Sequence, residues 1–198
     1  MIRILGLIGS PRKGKNTDQL VQAVLTGAED AGAKVTKIYL NDLKIKPCQA
    51  CQKHPYPKYC IYNDGMNKLY KLFEQVDGIV LGTPAYYETI SSQAKLMIDR
   101  CNCLSLIKRD RQGKPKFIRR INKPKLGVFV WVSDCSRDIK PALASIRFWC
   151  QDINLNMVKT IKMFHSDRKD NNKQELIKQA YQSGIALVKK IRTDQNTN

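Results

Sequence analysis

Five short apolar runs punctuate the chain, at residues 2–8, 34–40, 78–81, 126–131 and 157–164. Each is short enough for a strand, and the second alternates apolar and polar side chains. Between them apolar residues recur at helical spacing. One stripe is Leu20, Val21, Val24, Leu25, Ala28 and Ala31; another is Leu69, Leu72, Phe73 and Val76. Leu143, Ile146, Cys150 and Ile153 form a third, and Leu176, Ile177, Ala180, Leu187, Val188 and Ile191 the last. Strands that alternate with helices pair in parallel through right-handed crossovers, with helices on both faces. The pattern predicts an α/β fold, a three-layer sandwich around a five-stranded parallel sheet.

Two stretches break this rhythm. Residues 41–63 carry Pro47, Pro55, Pro57 and three cysteines, and residues 105–124 carry Gly113, Pro115, Pro124 and a run of cations. Loops of that length are uncommon in compact domains, so both read as functional or flexible excursions from a single domain spanning residues 1–192. The polar end, 193–198, reads as a disordered tail.

With 35 Lys and Arg against 17 Asp and Glu, the net charge is +18. Much of it lies in the second excursion, where Lys108, Arg109, Arg111, Lys114, Lys116, Arg119, Arg120, Lys123 and Lys125 face only Asp110. Phe117 is the one aromatic there and no nucleic-acid motif surrounds it, so a solvated basic insertion is the stronger reading and a nucleic-acid binder the weaker. No apolar run approaches the roughly 18 residues of a membrane span, and the first residues lack a secretory pattern. A cytoplasmic location is expected. The seven cysteines then read as reduced thiols or as metal or cluster ligands rather than disulfides.

The first apolar run spills into Gly9-Ser10-Pro11-Arg12-Lys13-Gly14-Lys15-Asn16-Thr17. A small-residue loop entering a helix aims unpaired backbone N–H groups and the positive end of the helix dipole at one point. Ser10, Asn16 and Thr17 supply donors, and Arg12 and Lys15 supply charge, for a phosphate; a merely capped turn is the alternative. Gly9-x4-Gly14-Lys15 nearly matches a nucleoside-triphosphate loop, but Asn16 stands where a magnesium-binding Ser or Thr belongs. The dinucleotide fingerprint is absent. A monophosphate held without metal fits better.

Beyond the third run comes Gly82-Thr83-Pro84-Ala85-Tyr86-Tyr87-Glu88. Ligands of open α/β sheets bind outside the carboxyl ends of the strands, where this segment and the 9–17 loop lie side by side. Thr83, Pro84 and Ala85 suit a backbone lying against a flat ring, and Tyr86 and Tyr87 add aromatic faces; a simple turn is the other reading.

Taken with the run Ser91-Ser92-Gln93-Ala94-Lys95-Leu96-Met97-Ile98-Asp99-Arg100, these motifs resemble the NADPH-dependent FMN reductase family of flavodoxin-like proteins, and most closely its iron-sulfur flavoproteins. The resemblance implies strand order 2-1-3-4-5 and an FMN whose phosphate meets Ser10, Arg12, Lys15, Asn16 and Thr17. Its ring would lie between residues 83–87 and Ser133, Asp134, Cys135 and Ser136, which replace a glycine-rich turn. It implies electron transfer from reduced nicotinamide or ferredoxin through the flavin to an acceptor, with hydride passing from NAD(P)H to the flavin and no catalytic side chain; the charge of +18 also suits docking on ferredoxin or another acidic redox protein. A homodimer or homotetramer follows from the same source. The competing class is a flavodoxin-like electron carrier that turns over no nicotinamide.

The iron-sulfur branch carries C-x2-C-x2-C and a further cysteine. Here the set reads Cys48, Cys51, His54 and Cys60, with histidine in the third place. A 4Fe-4S cluster, a zinc ion and an empty loop all remain open, with Cys101 or Cys103 as a possible extra ligand. Cys135 and Cys150 read as core or flavin-proximal thiols.

Overall fold

The structure, a computed structural model, describes residues 1–53, 55–135, 138–166 and 172–197. In chain order its elements are β1 (Arg3–Ile8), α1 (Asn16–Asp30), β2 (Lys34–Tyr39), α2 (Met66–Gln75), β3 (Gly78–Tyr86), β4 (Thr89–Ile90) and α3 (Ser92–Arg100). They continue as β5 (Ser105–Arg109), β6 (Pro115–Arg119), β7 (Lys125–Val132), α4 (Lys140–Asp152), β8 (Leu155–Met163) and α5 (Lys173–Asn196).

The main sheet runs β2-β1-β3-β7-β8 with every one of these neighbours parallel. Counted over the parallel strands this is the expected 2-1-3-4-5. Its central strands are sealed on both faces, as parallel sheets require. One face buries Leu69, Phe73, Met97, Phe129, Trp131 and Trp149. The other buries Leu20, Val24, Leu25, Leu187, Val188 and Ile191. No helix among the described residues is long and apolar enough to cross a membrane.

Four features depart from the sequence reading. The segment at 82–88 is not a loop throughout: β3 continues to Tyr86, then folds back antiparallel onto the short β4. A helix, α3, follows where the sequence reading gives none. The basic excursion is an ordered antiparallel hairpin of β5 and β6, with Lys108 opposite Lys116 and Ile107 opposite Phe117. Finally, α5 continues to Asn196 instead of ending at residue 192. Its last turn is tied down, since Gln195 Nε2 donates to Asp77 Oδ1 at 3.2 Å.

Candidate functional site

The switch point of a 2-1-3 sheet lies between β1 and β3, and the crevice beyond their carboxyl ends is where such sheets take ligands. Gly9, the first residue past β1, donates its N–H to the Gly82 carbonyl at 2.7 Å. Its own carbonyl accepts from Ser91 Oγ at 2.7 Å. Ser91 Oγ in turn caps α3 by accepting from Ala94 N, and Ser91 N donates to Thr83 Oγ1 at 2.9 Å. A Cβ on Gly9 would sit 2.8 Å from Ser91 Oγ, 3.1 Å from Ala94 Cβ and 3.2 Å from the Gly82 oxygen, so only glycine lets the loop approach this closely. The two ligand loops therefore share one hydrogen-bonded pivot, and Ser91 is its centre.

From that pivot the chain runs to α1. Ser10 is buried, and its Oγ accepts from Arg12 N at 3.2 Å, which curls the loop upon itself. Gly14 adopts φ +70° with nothing within 4 Å of its missing side chain. Lys15 takes the N-cap position in extended conformation and makes no side-chain cap bond, leaving the first turn of α1 without a side-chain acceptor there. Arg12 and Lys15 are exposed beside it. Thr17 is buried with its methyl towards Gly82, and Asn16 Nδ2 donates to the Ser166 carbonyl at 3.0 Å. Hydroxyl, amide and cation thus meet at a helix N-terminus, a donor set that fits a phosphate.

Asp18 was not legible as part of this loop. Its carboxylate accepts from Gly14 N at 2.6 Å and Tyr39 OH at 2.7 Å and pairs with Lys37 Nζ at 2.5 Å. Burial pushes its pKa up, but the bonds from Lys37, Gly14 and Tyr39 outweigh burial and hold it below the ordinary value. Asp18, ionised and paired with Lys37, fixes the loop through its bond from Gly14 N. Lys13 is likewise spoken for, pairing with Asp42 at 2.7 Å.

Past Thr83 and Pro84, both buried, Ala85 is half-buried and Tyr86 exposed. Tyr87 and Glu88 turn at φ 49° and 63°, the left-handed pair that a tight hairpin demands. This leaves the Tyr87 side chain 100% exposed. Across the crevice Ser133 is buried, its N–H donating to the Met163 carbonyl at 2.9 Å. Ser166 N donates to the Ser133 carbonyl at 3.3 Å, and Ser166 Oγ bonds Asp134. Asn16, Ser133 and Asp134 are therefore tied together through Ser166, a residue the sequence does not mark. Cys135 is exposed; Ser136 lies outside the described residues.

Four of the seven cysteines gather at a separate cavity. Cys48, Cys51, Cys60 and Cys103 line one cavity of about 740 Å³, whose wall includes Arg100 and the whole of β5. His54 lies outside the described residues. Two arginines hold the cysteine loop. Arg100 Nη1 donates to the Lys46 carbonyl at 2.7 Å and pairs with Asp64 at 2.5 Å, while its Nη2 donates to Cys60 Sγ at 3.3 Å. Arg120 donates to four carbonyls, those of Tyr59, Cys103, Pro55 and Lys58. Burial raises the Cys103 thiol pKa, and burial pushes that of Cys150 up to about 12.

Among the described residues no three histidine, cysteine or acidic side chains converge as a single ion requires. Zinc wants its sulfurs about 2.3 Å from one centre, whereas in a cluster each thiolate binds a different iron. Thiols are the donor type that either group takes, and four of them line this one cavity.

Three known proteins show what this chain is similar to. An iron-sulfur flavoprotein of Methanosarcina thermophila is 30% identical over 99 residues, covering 50% of this chain and 52% of that protein. A flavone reductase superposes with TM-score 0.72 at 18% identity, over 100% of this chain and 65% of its own. An NAD(P)H:quinone oxidoreductase from Methanothermobacter marburgensis gives TM-score 0.70 at 11% identity, over 93% and 98%. At such identities the structures speak for the fold. The aligned region covers about half the length of the curated relatives. The sequence pattern described as NADPH-dependent FMN reductase matches residues 2–126, and the chain belongs to that family.

Proposed function

We propose that the protein binds FMN at the β1–β3 crevice and works as an NAD(P)H-dependent oxidoreductase that hands electrons from a reduced nicotinamide to an acceptor. The observation that carries this reading is the Gly9–Ser91–Gly82 pivot, which sets an uncapped helix N-terminus beside the tyrosine hairpin. When bound, FMN supplies the hydride-accepting and electron-releasing chemistry. The chain's own part is to bind and orient. Ser10, Asn16, Thr17 and the first-turn N–H groups of α1 hold the phosphate, with Arg12 and Lys15 adding charge at its rim. Thr83, Pro84 and Ala85 lie along the ring, Tyr86 and Tyr87 cover its open side, and Ser133, Asp134 and Cys135 close the far side. No side-chain acid or base is assigned a step.

An iron-sulfur centre on the cysteine loop is part of the proposal, supported by the four-thiol cavity and by the printed name of the curated relatives. So is an acidic redox partner such as ferredoxin, supported by the cationic β5–β6 hairpin that walls the same cavity. Self-association into a dimer or tetramer and a cytoplasmic setting are proposed on the family resemblance and the lack of a membrane-spanning helix among the described residues.

The test is to titrate FMN into purified protein by fluorescence quenching, then add NADH or NADPH without oxygen and follow the flavin absorbance. Micromolar or tighter binding followed by bleaching with one nucleotide is the expected result. No FMN binding would overturn the proposal. FMN that neither nucleotide reduces would replace the oxidoreductase with an electron carrier of the flavodoxin kind.

A further inference from the structure

We infer that Cys103 supplies the fourth thiolate of the metal-sulfur centre, so that Cys48, Cys51, Cys60 and Cys103, and not His54, form its ligand set. The inference rests on the iron-sulfur reading above and deepens it.

Cys103 stands more than forty residues from the cysteine loop in sequence, yet the fold carries it to the same cavity wall as the other three thiols. Arg120 Nη1 donates to both the Cys103 carbonyl at 3.3 Å and the Tyr59 carbonyl at 3.4 Å. One guanidinium thus pins residue 103 against the peptide that leads into Cys60. Arg100 makes a second link: its Nη2 donates to Cys60 Sγ at 3.3 Å, while Cys103 Sγ donates to the Arg100 carbonyl at 3.3 Å. Cys103 Sγ also donates to the Tyr70 hydroxyl at 3.4 Å, and that hydroxyl donates to the Arg100 carbonyl at 2.7 Å, which fixes where residue 103 sits.

The neighbouring candidate fails on burial. Cys101 is 1% exposed and packs in the core cluster that includes Trp149, so it turns away from the cavity. The surroundings suit a centre held by four thiolates, which carries net negative charge. Lys53, Lys108, Arg109 and Arg100 line the cavity with cations. Ligation releases the proton of each thiol.

The test uses the full chain, purified and reconstituted without oxygen with ferrous iron and sulfide, in six forms: wild type, Cys48→Ser, Cys101→Ala, Cys103→Ser, Cys103→Ala and His54→Ala. Iron and acid-labile sulfide per chain and the electron paramagnetic resonance signal of the reduced protein are read, with FMN binding and circular dichroism as checks of folding. The expected result is that both Cys103 variants lose iron to the level of Cys48→Ser while binding FMN normally. Cys101→Ala and His54→Ala should keep wild-type iron and an unchanged signal. Wild-type iron and signal in both Cys103 variants, or loss of iron in His54→Ala as deep as in Cys48→Ser, would overturn the assignment. Wild type that binds FMN but takes up no iron would overturn it too, while leaving the flavin reading intact; failure to bind FMN would strike that reading separately.

Discussion

The Ser91 hydroxyl donates to the Gly9 carbonyl at 2.7 Å across 82 residues of sequence, joining the phosphate loop to the start of α3. Removing it in Ser91→Ala strips a helix cap and orphans a buried carbonyl, each loss worth about 1–2 kcal/mol. Urea unfolding should show that drop, and the FMN dissociation constant should rise with it. Unchanged values for both would mean that the two loops do not depend on this bond.

Arg120→Met should free the cysteine loop without disturbing the sheet. Its guanidinium contacts four carbonyls from outside the core, and hydrogen bonds from a charged donor contribute about 1.5–3 kcal/mol. Hydrogen exchange at residues 55–60 should quicken while residues of β1 and β3 keep their protection.

Acid should loosen both loops together. For Asp64, burial raises the pKa, but the bonds from Arg100, Lys46 N and Met66 N outweigh it and hold it lowered, as in Asp18. A lowered folded value means stability present above the ordinary carboxylate pKa of 3.8 and lost as pH falls through the folded one. Asp64→Asn should therefore flatten the acid limb of the stability profile. At neutral pH it should cost about 3–5 kcal/mol, because Arg100 stays charged and buried.

Lys125 predicts the opposite limb. Burial lowers its pKa to about 8, with its Nζ donating to the Lys123 carbonyl at 2.6 Å and the Ile153 carbonyl at 3.1 Å. Below that value both folded and unfolded chains carry the proton and the cost of burying it is constant. Between about 8 and the ordinary 10.5 only the unfolded chain keeps the proton, so stability rises with pH. Chemical denaturation across that range should show wild type gaining stability relative to Lys125→Met, the difference between the two isolating this group from the buried thiols, whose raised pKa values act in the opposite direction.

The hairpin exposes an apolar pair, Ile107 at 65% and Phe117 at 69%, in register and ringed by cations. Lys108→Glu with Lys116→Glu should slow association with an acidic ferredoxin and weaken its salt dependence, while thermal stability changes by no more than about 0.5 kcal/mol. Stopped-flow association rates at several salt concentrations would check this. Binding to a generic DNA duplex should be weak and collapse as salt rises.

The five parallel strands and the turn into α1 were readable because each rests on a local pattern, an apolar run of the right length or a glycine-serine turn opening a helix, whereas the strand order came only with the family resemblance. What stayed hidden depends on partners far away in sequence. The apolar stripe of α3 is only Ala94, Met97 and Ile98, with Cys101 just past its end, too short to stand out beside the stripes of α1 and α5. The β5–β6 hairpin buries neither face fully, and its cations mask the alternation of a strand. Asp18 looks like an ordinary first-turn acid until β2 brings up Lys37 and Tyr39. Cys103 gains meaning only once Arg120 and Arg100 draw the cysteine loop against it.

One helix touches both halves of the candidate machinery. Ser91 ties the head of α3 to the phosphate loop, and Arg100 at its foot grips Cys60 and Asp64. Nine residues of α-helix measure about 13 Å, so a stiff spacer of that length sets the gap between flavin seat and thiol cavity. One residue inserted into the spacer would swing Arg100 through about 100° and uncouple the two ends, with each left folded.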